Sequence, residues 1–399
     1  MRTPLGRFQA SPALAFLRDV AFRAPDALTR ARWAPRLTAG GVIRELARAR
    51  DLRRALPHLA RWINDAGLAS TLPADERATL IAARLSSAAS ASRLAATLAP
   101  LGAACRVEGV TPLLLKGAAL HGALHADPAD RPVSDADLYV SFADWPRFQR
   151  ALLAAGLASD RLTAARIDDL ERSKGRTSLL SDFIYRRRDA TGVPVEVKFD
   201  PVQVGVPLRR PEVFAAGATP SPIYDGFLVP APEAMAVQQA IHLARHDGSD
   251  ALWFAELAHG VARAHARRAF DVDRARSLLA GEGLDAAARQ VFAAAEALFP
   301  GTIPNSLRRG LGGGPVPRNL RQDPRAKGAV DERRATLSLQ AHHAVASGRV
   351  GLVLRSLVAR LRPSDGYVAA RLGLPPDTPV RAAHRRRRLL DLLRGSKPL

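Results

Sequence analysis

Hydrophobic residues recur with helical spacing toward both ends of the chain and form short, strand-like runs in the middle. Residues 78–99 are rich in Ala and Leu with few helix breakers, and a second strong helical pattern begins at Pro232. Between these regions, brief apolar runs alternate with polar turns, which is typical of strands. The pattern predicts an α+β protein with a helical region over 1–104, a mixed core over 105–230 and a helical region over 231–399.

Turn signals divide the mixed region into short elements. Two alternating runs, 183–187 and 193–199, flank a polar turn at 189–192 and predict a hairpin. Within the C-terminal region, a stretch rich in Gly, Pro and Arg at about 301–334 predicts a loop or linker. The other predicted elements are strands at 110–115 and 135–140 and helices at 118–125 and 145–155.

Two carboxylates stand at the start of the strand predicted at 135–140. Side chains alternate along a strand, so Asp135 and Asp137 point to the same side, about 6–7 Å apart. Such a pair favours a cation between its members, and Mg²⁺ prefers oxygen ligands. In a chain with 38 acidic residues, such a pair also arises by chance on the surface. The preceding strand, which ends in Lys116-Gly117, places a candidate phosphate-binding turn beside the acidic pair and favours a functional site.

These motifs resemble the nucleotidyltransferases of the DNA polymerase β type. The closest likeness is to a large bacterial branch with a Lys-Gly turn, which the abortive-infection nucleotidyltransferase toxins share. The matching segments are Leu115-Lys116-Gly117-Ala118-Ala119-Leu120 and Arg131-Pro132-Val133-Ser134-Asp135-Ala136-Asp137-Leu138. Better-known members carry Gly-Ser where this chain has Lys116-Gly117. The resemblance implies a small mixed β-sheet as the nucleotidyltransferase core, flanked by helical domains.

A third carboxylate is implied by the same resemblance. Glu196 lies on a later strand and matches the position of a metal ligand, or of a base for the attacking hydroxyl. Lys198 shares its face of the strand and stands where this branch often carries His. Lys198 could contact phosphate, or it could pair with Glu196 and weaken metal binding. An ordinary exposed Glu/Lys pair is the alternative interpretation.

The activity implied by the resemblance is Mg²⁺-dependent transfer of a nucleoside monophosphate. The donor is a nucleoside triphosphate such as ATP, pyrophosphate is released, and the acceptor is an unidentified hydroxyl or phosphate of a small molecule, protein or RNA. Asp135, Asp137 and Glu196 are the expected catalytic residues and would hold two Mg²⁺ ions. The alternative is a catalytically degenerate nucleotide- or RNA-binding protein of the same fold. The expected nucleotide-binding residues are Lys116, Gly117, Arg131, Ser134 and Lys198, although Arg131 could instead hold its own loop.

Charge points to an anionic partner. The 59 basic and 38 acidic residues leave a formal net charge of +21, which makes RNA binding possible. Only five of the basic residues are Lys, and the arginine excess in a chain rich in Ala, Gly and Pro can also reflect GC-rich coding. The run Arg385-Arg386-Arg387-Arg388 is either a solvated helical face or a nucleic-acid contact.

Other sequence features narrow the class of protein. Cys105 is the only cysteine, which excludes an internal disulfide and a Cys-based zinc site. No apolar run reaches the length of a membrane span and no signal peptide is recognised, so a cytoplasmic location is expected. His242 and His246 share a helical face, but no third ligand accompanies them, which favours packing or hydrogen bonding over metal binding.

Overall fold

The computed structural model describes residues 11–49, 52–172, 183–187, 189, 191–204, 208–246, 250–311, 339–351, 364–375 and 378–393. Helices dominate both ends of the chain, as the apolar spacing predicted. The N-terminal helices are α1 (Pro12–Val20), α2 (Ala27–Ala39), α3 (Val42–Arg48), α4 (Leu56–Asp65) and α5 (Ala74–Glu108). Single 3₁₀ turns occur at Arg53–Ala55, Ala69–Thr71, Pro128–Asp130 and Pro211–Phe214.

The central region adds α6 (Lys116–Leu120), α7 (Trp145–Ala154) and α8 (Arg161–Arg172). The C-terminal helices are α9 (Pro232–Arg245), α10 (Ala251–Ala266), α11 (Val272–Leu279), α12 (Asp285–Leu298), α13 (Asn305–Gly310), α14 (Asp365–Arg371) and α15 (Ala382–Leu393). Residues 339–346 are also helical. Within the described ranges, no helix is both long enough and apolar enough to cross a membrane.

In the part of the chain that the structure describes, seven short strands form one mixed sheet. They are β1 (Leu113–Leu114), β2 (Ala136–Tyr139), β3 (Leu157–Ser159), β4 (Phe183–Arg187), β5 (Val195–Lys198), β6 (Thr219–Pro220) and β7 (Leu228–Val229). Their order is β3-β4-β5-β2-β1-β7-β6. The pairs β2/β5 and β1/β7 are parallel, and the other pairs are antiparallel. The α+β class is therefore confirmed, and so is the β4/β5 hairpin.

Two main apolar cores hold the chain together. One contains side chains of α1 to α4 together with side chains of α9 to α12, so helices from both ends of the chain pack into a single core. The other lies on the sheet, where Trp145 and Phe148 of α7 and Leu98 of α5 pack against strand residues such as Val195. The domain boundaries at 104 and 230 stay a prediction, although α5 continues past 104 to Glu108.

Some predicted elements differ from the observed ones. The strand predicted at 110–115 forms ladder pairs only at Leu113–Leu114, because Lys116 already begins α6. That helix ends at Leu120, earlier than predicted, because the chain turns at His121 and Gly122. The polar stretch 159–181 gave no clear prediction from the sequence, and it contains α8. Most of the predicted loop at 301–334 lies outside the described residues, but its start contains the short helix α13.

Candidate active site

The three acidic residues singled out in the sequence meet at the centre of the sheet. Strands β2 and β5 are parallel neighbours, and their register sets Asp137 directly opposite Glu196 and Tyr139 opposite Lys198. Asp135 comes immediately before β2. All three carboxylates line one cavity of about 320 Å³, together with Lys116 and Gly117. The turn after β1 and the acidic pair on β2 are therefore brought together.

Two lysines bind the central carboxylate. Lys116 Nζ lies 2.9 Å from Asp137 Oδ1, and Lys198 Nζ lies 2.9 Å from the same oxygen. Lys198 Nζ is also 2.9 Å from Glu196 Oε2, so one ammonium group bridges two carboxylates. The Lys198 side chain is 1% exposed, whereas that of Lys116 is 22% exposed. Lys198 is thus a buried part of the site, and Lys116 faces the cavity.

The neighbouring charges set the two aspartate pKa values in opposite directions. Burial alone would raise the pKa of Asp137, but the positive charges of Lys116 and Lys198 outweigh burial and lower it. The pKa of Asp135 is raised by burial and then by the negative charge of Asp137. Asp135 accepts a hydrogen bond from Ser134 Oγ at 3.2 Å, and among the described residues it forms no ion pair. Of these two carboxylates, Asp135 is therefore the one whose charge a bound cation would stabilise more.

The Lys116-Gly117 turn is held from two sides. Lys116 has φ of +50°, in the left-handed region that non-glycine residues rarely adopt, and its N–H donates to Gln238 Oε1 at 3.3 Å. Gln238 in turn donates through Nε2 to the carbonyl of Pro201 at 3.2 Å. A Cβ on Gly117 would lie 2.3 Å from Arg131 Nη1. Only glycine at position 117 leaves room for the guanidinium of Arg131. The missing side chain would also allow a phosphate to approach the backbone.

Arg131 itself is engaged in a buried ion pair. Its Nε and Nη2 donate to the two oxygens of Glu256 at 2.6 and 3.2 Å. His125 Nε2 lies 3.0 Å from the same carboxylate. Burial would raise the pKa of Glu256, but Arg131 and then His125 lower it to about 2. This geometry gives Arg131 a structural role, and its predicted contact with nucleotide stays a prediction.

The cavity also contains residues that sequence reasoning did not assign to the site. The rings of His242 and His246 lie 4.4 Å apart and contact Trp253 at 4.7 and 5.6 Å between centroids. All three residues line the cavity, as does Arg54, whose guanidinium lies 5.5 Å from the Trp253 ring. These ring contacts agree with the packing interpretation of the two histidines. The available signals were the i, i+4 histidine spacing and the resemblance of 241–246 and 253–257 to the helical region after the catalytic core, where a helix can lie beside the nucleotide. Nothing in the sequence pointed to Arg54 or Gln238.

Burial keeps His242 neutral. Desolvation and the charge of Lys116 move its pKa well below the ordinary value. Among the described residues, no group of three or more His, Cys, Asp or Glu side chains is arranged to hold a metal ion. The donor type at Asp135 and Asp137 nevertheless suits a hard divalent cation, since both supply carboxylate oxygens. Glu196 supplies a third carboxylate, but Lys198 stands between it and Asp137.

Comparison with known proteins bears on the same region. A family model described as "Uncharacterised nucleotidyltransferase" matches residues 42–300, which is well over half of the 399-residue chain. The match runs from α3 to the end of α12, so it includes every strand of the sheet and all the residues of the cavity described above. Neither the search of curated proteins nor the search of solved structures gave a match.

Proposed function

Because this chain belongs to that nucleotidyltransferase family, we propose that it transfers a nucleoside monophosphate from a nucleoside triphosphate to a hydroxyl or phosphate acceptor. The observation that carries the proposal is the convergence of Asp135, Asp137 and Glu196 with the Lys116-Gly117 turn in one cavity. The kinship to DNA polymerase β-type enzymes, and to the Lys-Gly branch that includes abortive-infection toxins, is part of the same proposal.

The reaction makes one phosphorus–oxygen bond and breaks another. An acceptor oxygen attacks the α-phosphorus, the bond from that phosphorus to the oxygen leading to the β-phosphate breaks, and pyrophosphate leaves. With a hydroxyl acceptor, the released proton goes to Glu196, which lines the cavity across from Asp137. The protein gains rate by holding the two reactants in line.

Each side chain of the site has a defined task. The ammonium group of Lys116 faces the cavity and is suited to bind a phosphate as a point charge. Asp135 and Asp137 would hold Mg²⁺, with the donation from Ser134 orienting Asp135. When bound, Mg²⁺ supplies charge neutralisation on the triphosphate and favours attack at phosphorus. The rings of Trp253 and His246 offer an apolar surface on which a base can stack.

A second candidate function is supported by the lysine contacts. Lys116 and Lys198 both bind Asp137, and Lys198 also binds Glu196, so the carboxylates are partly neutralised without any metal. A protein with this site could bind nucleoside triphosphate, or RNA through its arginines, without transferring a nucleotide. The charge of +21 is compatible with such RNA binding.

Pyrophosphate release decides between these candidates. The protein is incubated with Mg²⁺ and each of the four nucleoside triphosphates, with total RNA or cell extract as acceptor. We expect release by the wild type and at least a hundredfold loss in Asp137→Asn, since removing charge stabilisation from a transition state costs about 10²–10³ in rate. Asp273→Asn, a change of an exposed aspartate on α11, is the matched control and should keep the activity.

Two outcomes would contradict the enzyme proposal. If the Asp137→Asn variant were as active as the Asp273→Asn variant, this site would take no part in the reaction. Triphosphate binding by the wild type without pyrophosphate release in any mixture would favour the degenerate binding protein. Circular dichroism of both variants shows whether a loss of activity comes from a loss of fold.

A further inference from the structure

Lys198 occupies a position between two carboxylates that a metal ion would otherwise bridge. Its Nζ lies 2.9 Å from Asp137 Oδ1 and 2.9 Å from Glu196 Oε2. The parallel register of β2 and β5 sets these two acids opposite each other, so the lysine two residues after Glu196 reaches both. One buried ammonium group therefore already offsets half of the negative charge of the pair.

This arrangement is not easily undone. The Lys198 side chain is 1% exposed, and an ammonium group at that depth is costly unless carboxylates surround it. Lys116 differs, because its side chain is 22% exposed and can turn from Asp137 toward a phosphate. A cation could bridge Asp137 and Glu196 only after the ammonium group of Lys198 had left both carboxylates. That group would then be either buried without a partner or moved into solvent.

The carboxylate of Asp135, in contrast, is held by no lysine that the structure describes. Among the described residues, Asp135 forms no ion pair, and it lines the same cavity as Asp137. Counting formal charges, Asp135, Asp137 and Glu196 together with Lys116 and Lys198 leave a single net negative charge. A site with that charge suits one divalent cation at Asp135 and Asp137 far better than two.

We propose that Lys198 takes the place of a second divalent cation, so that this site binds one divalent cation per chain where a two-ion site was expected. The proposal rests on the proposed function, because the remaining cation is the one that accompanies the triphosphate. Lys198 is then a positioning residue, which holds Asp137 and Glu196 at a fixed separation and acts on the substrate only through them.

Counting bound Mn²⁺ tests this assignment without relying on activity. Mn²⁺ is titrated into the 399-residue chain, and the free ion is followed by electron paramagnetic resonance. We expect one Mn²⁺ per chain for the wild type and one more for Lys198→Met, which keeps an unbranched side chain one atom shorter and removes its charge. Arg187→Met removes an exposed positive charge paired with Asp189 at the end of β4, and should bind as the wild type does.

The outcomes separate this inference from the proposed function. Two Mn²⁺ per wild-type chain, or an equal count in the wild type and Lys198→Met, would overturn the role of Lys198. If Lys198→Met does not fold, the wild-type count still decides, and Lys198→Gln provides a second variant. Binding of a non-hydrolysable ATP analogue is measured in parallel. A wild type that binds Mn²⁺ but no analogue contradicts the proposed function, whereas the cation count reports on Lys198 alone.

Discussion

Asp137 stays ionised in a buried position because two ammonium groups share one of its oxygens. The sequence could predict part of this arrangement, since strand alternation puts Glu196 and Lys198 on the same face of one strand and Asp135 and Asp137 on the same face of another strand. It could not predict that Lys198 reaches across to Asp137. That contact depends on the parallel pairing of β2 with β5, which no local pattern specifies.

Arg131 illustrates the same limit at the level of a single residue. Its partner Glu256 lies 125 positions further along the chain, and neither residue belongs to a pattern that suggests the other. The sequence left open whether Arg131 binds phosphate or holds its own loop. The structure adds a third role, because Arg131 joins the site turn to helix α10 through a buried ion pair.

Arg131→Met is expected to destabilise the protein by about 3–5 kcal/mol, because it leaves the carboxylate of Glu256 buried without its main partner. The measurement is urea unfolding followed by circular dichroism. Arg187→Met, which breaks an exposed ion pair with Asp189, is the control and should leave the midpoint unchanged. If the two variants unfolded at the same urea concentration, the structural role of Arg131 would be wrong.

Among the elements, those with strong local signals were the easiest to predict. The β4/β5 hairpin follows from two alternating runs around a polar turn, and α7 follows from its apolar spacing and the glycine after it. The short strands β6 and β7, at one end of the sheet, gave no such signal. Each has only two residues, and their pairing depends on the parallel contact of β7 with β1.

Helix α5 contacts the end of the sheet through two glycines. A Cβ on Gly102 would lie 2.1 Å from the backbone oxygen of Asp225, and a Cβ on Gly226 would lie 2.6 Å from the backbone oxygen of Gly102. Backbone atoms cannot move aside as a flexible side chain can. The close approach of α5 to the turn before β7 therefore requires a hydrogen at both positions.

Gly102→Ala should destabilise the protein by about 1–3 kcal/mol, because the clash outweighs the better helix propensity of alanine. The matched substitution is Gly260→Ala in the middle of α10, where a Cβ meets nothing within 4 Å. There, alanine should stabilise by roughly 0.5–1 kcal/mol. Thermal unfolding of both variants checks the opposite signs. A stabilising Gly102→Ala would show that α5 and the turn are not in close contact.

At the scale of the whole molecule, helices from the two ends of the chain share one apolar core. Amphipathic spacing predicted each set of helices but not their association, because periodicity identifies an apolar face without identifying its partner. Buried histidines lie in and around this core. The rings of Phe22, His58, His125 and His259 form a cluster in which neighbouring centroids lie 4.4–5.6 Å apart.

His58, His121 and His259 are held neutral in the folded chain, because their pKa values are lowered. Burial, and then the charge of His125, lowers the pKa of His58 from 6.5 to about 3. Burial also lowers the pKa values of His121 and His259 to about 4. As the pH falls below 6.5, the unfolded chain takes up protons that the folded chain does not. The stability therefore decreases as the pH falls from about 6.5 toward 4, at up to ~1.4 kcal/mol per unit of pKa difference.

Glu256 causes a further loss of folding stability at lower pH. Its pKa is lowered from 4.5 to about 2 in the folded chain, so its contribution is complete above 4.5 and is lost as the pH falls toward 2. We expect the urea midpoint to decrease between pH 7.5 and pH 5, because the lowered pKa values of His58, His121 and His259 outweigh the opposite effect of Asp250, whose pKa is raised by burial to about 6. His58→Gln should reduce that decrease, because glutamine can still accept from the Phe22 N–H but does not titrate. His265→Gln changes an exposed histidine and should keep the full decrease. An equal pH dependence in both variants would mean that His58 is not a source of the acid sensitivity.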